Sequence, residues 1–203
     1  MLYYHITNSP KFQEISHIIK SLLFFSEFFP KHAGIDTNVY DCFIDTTSSL
    51  SYETMSQADL AVSQRIVAMV QTGDMDVLVA NSEAFTNYAK GGVFHDLRNE
   101  LTKEEFAALE PYFYYIDRSV IEAEPEEIVY DEDGMPVDTQ KDVDHTDPSS
   151  MEDPIPVGIY LDSFSKLEEY GCYLSTQEPT IFGFVFSSER KETCHLFLQY
   201  LTE

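Results

Sequence analysis

The feature that most restricts the fold is the run Asp76-Val77-Leu78-Val79-Ala80, which follows a capped helical pattern and a glycine. The run is too short for a helix and lacks polar alternation, so it reads as a strand covered on both faces. Strands of that kind characterise parallel α/β sheets. In the helical pattern before it, Met55, Ala58, Val62, Ile66, Met69 and Val70 fall within an arc of about 120°, a core-facing stripe. Thr54 and Gln57 form a Thr-x-x-Gln capping box at its start, and Gly73 is placed to take the left-handed conformation that closes it.

The remaining elements extend the same alternation. Ile15, Ile18, Ile19, Leu22, Phe25 and Phe29 recur at helical spacing, and Pro30 is expected to end that helix. Val39 to Asp45 reads as a strand, with Thr46 to Ser49 as a polar loop at its end. Asn81 or Ser82 caps a short helix through Phe85, Tyr88 and Ala89, which Gly91-Gly92 stops. Val93 to Leu97 is a short extended piece. Thr102 and Glu105 form a second capping box, opening a helix through Phe106 and Leu109. Ile155 to Leu161 and Thr180 to Phe186 read as strands around a short helix near Ser163 to Tyr170, and Lys191 to Leu201 reads as a final helix. Helix and strand alternation of this kind predicts an α/β architecture with a largely parallel sheet flanked by helices.

Charge separates one region from the rest. The chain has 203 residues and a formal charge of −24. From Asp117 to Pro154, 14 acidic residues face two basic ones, or −12 in 38 residues. The part from Asp142 to Asp153 has almost no large apolar side chains, so burial cannot offset its ordering entropy and it reads as a solvated, partly flexible excursion. Its front half reads as a β-hairpin, Ile128 to Tyr130 and Met135 to Val137, turning at Asp133-Gly134. Tested as a calcium loop with Gly134 at position six, it places Val129 and Gln140 where carboxylates are required, so the template fails.

The same charge excludes a nucleic-acid binder, because Lys and Arg supply most phosphate affinity. Cys42, Cys172 and Cys194 lack C-x-x-C spacing, leaving three buried thiols or one disulfide and a free thiol. No secretory signal opens the chain, and its most apolar stretch, Leu22 to Phe29, is too short to cross a bilayer, so no transmembrane segment is expected. The six histidines show no metal-ligand spacing, and no nucleophile elbow or phosphate-cradling loop is present, so neither a catalytic residue, a metal nor a cofactor is expected. His95 and Asp96 are adjacent on an extended piece and point to opposite faces, which removes them as a base and its orienter.

The helix ending at Gly73-Asp74, the strand Asp76 to Ala80, the helix bearing Phe85 and Tyr88-Ala89, and Gly92-Val93-Phe94-His95-Asp96-Leu97 together resemble the first lobe of bacterial extracellular solute-binding proteins of the periplasmic-binding type 2 fold. Ile181 to Ser188, followed by a helix ending Phe197-Leu198-Gln199-Tyr200-Leu201, is similar to that family's return strand and closing helix. The resemblance departs at Met75, where the family commonly has proline, in the absence of Trp, and in a length about half the usual. It implies one full lobe over 1–115, an abbreviated second lobe over 116–186 containing the acidic excursion, and a closing helix over 187–203. It also implies an extracellular or surface-anchored setting, with a membrane permease as a partner; a chain complete as written would instead be cytoplasmic.

In open α/β sheets the ligand crevice lies beyond the C-terminal strand ends. That rule selects Asp45, Thr46 and Ser48, then Asn81, Ser82 and Glu83, then Tyr160 and Asp162, with Tyr112, Tyr114 and Tyr115 as an aromatic wall. The simpler readings are helix caps for Asn81 and Ser82, a turn for Thr46 to Ser49, and packing for the tyrosines. Two functions follow: a non-catalytic module that captures a small neutral or cationic solute between lobes, or a degenerate binding-protein fold that docks a protein partner without small-ligand capture.

Overall fold

The computed structural model describes residues 28–39, 42, 56–123, 143–169 and 178–203. Among them four strands form one sheet: β1 (Val77–Asn81), β2 (Phe113–Asp117), β3 (Pro154–Tyr160) and β4 (Thr180–Phe184). Their order is β1-β4-β3-β2, and every neighbouring pair is antiparallel. The expectation of a largely parallel sheet is therefore wrong. Burial on both faces makes a strand read as a continuous apolar run, but it does not fix the direction of the neighbour, and here helices cover both faces of an antiparallel sheet.

β1 alternates across the sheet: Val77 and Val79 pack against one core, Leu78 and Ala80 join the other. The first core gathers Phe113, Ile159, Phe182 and Phe184 beneath Leu97, Phe197, Leu198 and Leu201. The second gathers Tyr114, Ile116, Val157 and Ile181 beneath Ile66, Val70, Phe85 and Tyr88. In β3 the two-residue period breaks: Ile155 and Val157 face the second core, whereas Ile159 and Leu161 face the first. A register shift between Tyr114, opposite Gly158, and Tyr115, opposite Pro156, leaves Val157 as the extra residue. Such a bulge turns the rest of the strand over.

Besides the helical residues 28–32, the α-helices bounded within the described residues are α1 (Gln57–Thr72), α2 (Ser82–Lys90), α3 (Leu97–Glu100), α4 (Lys103–Leu109), α5 (Arg118–Glu122), α6 (Lys166–Glu169) and α7 (Lys191–Thr202). α1 is capped by Ser56 with Asp59 as the reciprocal partner, not by Thr54 and Gln57; Thr54 lies outside the described residues. The shorter Asp side chain closes the box as Glu or Gln would. Of the expected stripe Met55 lies outside the described residues, and of the rest Ile66 and Val70 are buried, Val62 and Met69 half-buried and Ala58 exposed. Gly73 closes the helix at φ 73°, and α4 starts with the expected Thr102–Glu105 box.

Pro30 does not end the first helical stretch. Residues 28–32 are helical, the Pro30 carbonyl accepts from the Ile35 N–H at 2.8 Å, and Gly34 at φ 68° makes the turn. Proline lacks a donor but keeps its acceptor, so it fits inside the closing turn. Most of the expected Val39 to Asp45 strand and the whole 128–137 hairpin lie outside the described residues.

A polar junction joins the end of α1 to the residues before β1 and α7. The Arg190 Nε donates to both Asp76 carboxylate oxygens at 2.9 and 2.8 Å, and its Nη2 donates to the Gly73 carbonyl at 2.9 Å. The buried Ser188 hydroxyl also donates to Asp76. The end of α1, the start of β1 and the start of α7 are thereby held as one unit.

Candidate functional site

β1 and β3 run in the same direction, so their C-terminal ends meet the start of β4 at one edge of the sheet. Asn81 lies opposite Thr180, and Tyr160 lies opposite Ile181. The strand-end rule therefore brings Asn81, Ser82, Glu83, Tyr160 and Asp162 together even though the sheet is antiparallel. Asp45, Thr46 and Ser48 lie outside the described residues.

At this edge the polar groups engage one another. The Asn81 Oδ1 accepts the Ala84 N–H at 3.2 Å as the N-cap of α2, and its Nδ2 donates to Glu178 Oε2 at 2.7 Å. Both Asp162 carboxylate oxygens accept the Thr180 N–H at 3.2 Å, and the Leu161 N–H donates to the Thr180 carbonyl at 2.8 Å. The Ser82 carbonyl accepts the Thr86 hydroxyl at 2.7 Å, and the Glu83 carbonyl accepts Asn87 Nδ2 at 3.0 Å. Glu83 stands in the first turn of α2, where a negative charge complements the helix dipole.

Beneath them the aromatic side chains fill the space. Tyr114 is fully buried and its hydroxyl lies 2.9 Å from the Thr86 hydroxyl. Its ring centroid is 5.9 Å from Tyr160 and 4.3 Å from His145, stacked at 17° on the histidine. Burial pushes the Tyr160 hydroxyl up to about 12, with Asp144 and Asp162 adding to the shift, and pushes Tyr114 up as well. Both phenols are neutral hydrogen-bonding groups at ordinary pH, with no general-base character. The Phe85 ring stacks on Phe94 at 4.2 Å and lies over Gly158 and Gly183, which leave room for it. Tyr112 instead packs on Phe164, and Tyr115 on Phe113.

Sequence reasoning missed His145, Glu178, Thr180 and Thr86. His145 had one signal, as the only aromatic ring in the 142–153 stretch. In its described part, 143–153, hydrogen bonds hold the backbone. His145 Nδ1 lies 2.7 Å from the Tyr115 carbonyl, Glu152 N–H donates to Asp117 Oδ2 at 2.7 Å, and Arg118 N–H donates to the Asp153 carbonyl at 3.0 Å. Hydrogen bonds and Asx turns order what hydrophobicity alone does not.

A second group of ionisable side chains lies between α3, α4 and α7. The Glu100 carboxylate, 5% exposed, receives Lys191 Nζ at 2.8 Å and stands 3.5 Å from His95 Nδ1; Glu105 meets Gln199 Nε2 at 3.1 Å and His195 Nδ1 at 3.8 Å. These contacts clamp α7 to the α3–α4 corner. Among the described residues, no three His, Cys, Asp or Glu side chains are grouped to hold a metal, and no helix is long and apolar enough to cross a membrane.

Fold and site define an antiparallel sheet covered by helices on both faces, with a strand-end cluster whose polar groups pair internally. Set against known proteins, the chain matches no family model, no curated protein and no solved structure.

Proposed function

We propose that the chain is a non-catalytic interaction module that docks a protein partner without capturing a small solute. The observation that carries this reading is the commitment of Asn81, Asp162 and Thr180 to intramolecular bonds at the strand ends, over a floor filled by Tyr114, Tyr160 and His145. A solute would have to displace those bonds, whereas small-molecule sites hold a few convergent polar groups ready for the ligand. With a charge of −24, the partner surface is neutral or basic.

A thermal-shift panel of neutral and cationic sugars, amino acids and short peptides tests the reading. A ligand at a hundred times its Kd stabilises by about 2.7 kcal/mol, or roughly 5–10 °C for a domain of this size. No solute is expected to raise the melting temperature. A saturable rise with any of them would favour solute capture and overturn the proposal.

A further inference from the structure

We infer that His145 is an edge guard: the turn it occupies plugs the outer side of β2 and keeps the chain from pairing, strand to strand, with a second copy of itself. Among the described residues β2 is the outermost strand beside β3, and its Phe-Tyr-Tyr-Ile-Asp sequence is rich in strand-forming side chains. A bare edge of that composition is a template for another strand. Opposite Tyr115 on the inner side stands Pro156, which has no N–H to give. Both backbone groups of Tyr115 go instead to one residue. Its N–H donates to the His145 carbonyl at 2.8 Å, and its carbonyl receives His145 Nδ1, protonated in this arrangement, at 2.7 Å.

That pair of bonds is what an antiparallel neighbour would supply. Tyr115 of a second copy, related by a two-fold axis, presents the same donor and acceptor and closes the assembly as a dimer. The plug is held in place by its ring, stacked on the buried Tyr114, and by Asp144, whose Oδ1 accepts the Thr146 N–H at 2.9 Å and the Thr146 hydroxyl at 2.7 Å.

The test compares the full chain with H145A and H145N. Asparagine keeps a side-chain donor near the Nδ1 position and loses the ring; alanine loses both. Backbone amide exchange of Tyr115 is read in dilute protein, and mass by light scattering across concentration, in about 0.15 M salt, which screens charges beyond about 8 Å. In H145A the Tyr115 amide exchanges about tenfold faster or more, and the mass rises towards twice the monomer with concentration, while the full chain stays monomeric and H145N falls between. A monomeric H145A at every concentration overturns the inference, and so does association without faster Tyr115 exchange. If H145A does not fold, H145N decides: more association than the full chain supports the guard, and a mass equal to it overturns the guard.

Discussion

Arg190 clasps Asp76 across 114 residues of sequence, with Nε 2.9 and 2.8 Å from the two carboxylate oxygens. The guanidinium is half exposed, so the charge pairing by itself contributes little. The larger effect comes from the buried Ser188 hydroxyl, which donates to the same carboxylate. Asp76→Ala removes the acceptor of two donors, Ser188 Oγ and Arg190 Nε, and is expected to cost about 1–2 kcal/mol. Urea unfolding should show a lower midpoint with an unchanged slope; an unchanged midpoint would mean the junction holds nothing.

Phe85 rests on two glycines. A Cβ at Gly158 would stand 2.6 Å from Phe85 Cζ, and one at Gly183 would stand 2.6 Å from Phe94 Cδ1 and 2.9 Å from Phe85 Cε2. Neither ring can move without disturbing the other, because they stack at 4.2 Å. Gly158→Ala and Gly183→Ala should each destabilise by about 1–3 kcal/mol through overpacking. Thermal unfolding checks this, and a stabilised variant would contradict it.

Much of the local structure is legible in the sequence, and the sheet is not. Gly73, Asn81, Gly92 and the Thr102–Glu105 box each act through neighbours within a few residues, so their roles follow from local chemistry. The direction of β1 depends on β4, about a hundred residues later, and nothing in Val77 to Asn81 encodes it. The bulge at Val157 is likewise invisible, since Ile155, Val157, Ile159 and Leu161 read as one uninterrupted alternation. The candidate site is half legible: Asn81, Tyr160 and Asp162 converge as strand ends should, but their partners Glu178 and Thr180 come from a different part of the chain.

The His145 imidazole gives the chain a pH dependence. Burial lowers its pKa from the usual 6.5, and Lys90 on α2 acts in the same direction; the Tyr115 carbonyl and Asp144 oppose them, with the Tyr114 and Tyr160 phenols neutral nearby. A base whose folded pKa is depressed stabilises fully above its unfolded pKa and loses that contribution as pH falls below about 6.5. Denaturation midpoints between neutral pH and pH 5 should fall faster for the full chain than for H145N. Parallel curves would contradict this.

Cys194 is a packing thiol. It is 3% exposed, and burial pushes its pKa up to about 11. Thiolate is the reactive form, so alkylation at pH 8 should leave Cys194 unmodified in the native chain and label it promptly in urea, as mapped by mass spectrometry. Labelling of Cys194 at equal rates in both states would contradict the packing.

Asn81 is expected to act as a cap: Asn81→Ala should cost about 1 kcal/mol through loss of the α2 N-terminus. Whether the strand ends are committed to one another is read most directly by NMR, following the Asn81 side-chain amide and the Thr180 backbone amide while neutral and cationic solutes are titrated to millimolar concentration. Both resonances should stay where they are, because their partners are Glu178 and Asp162. Saturable shifts at both, with one solute and one affinity, would show a small-ligand site there and contradict the interaction-module reading.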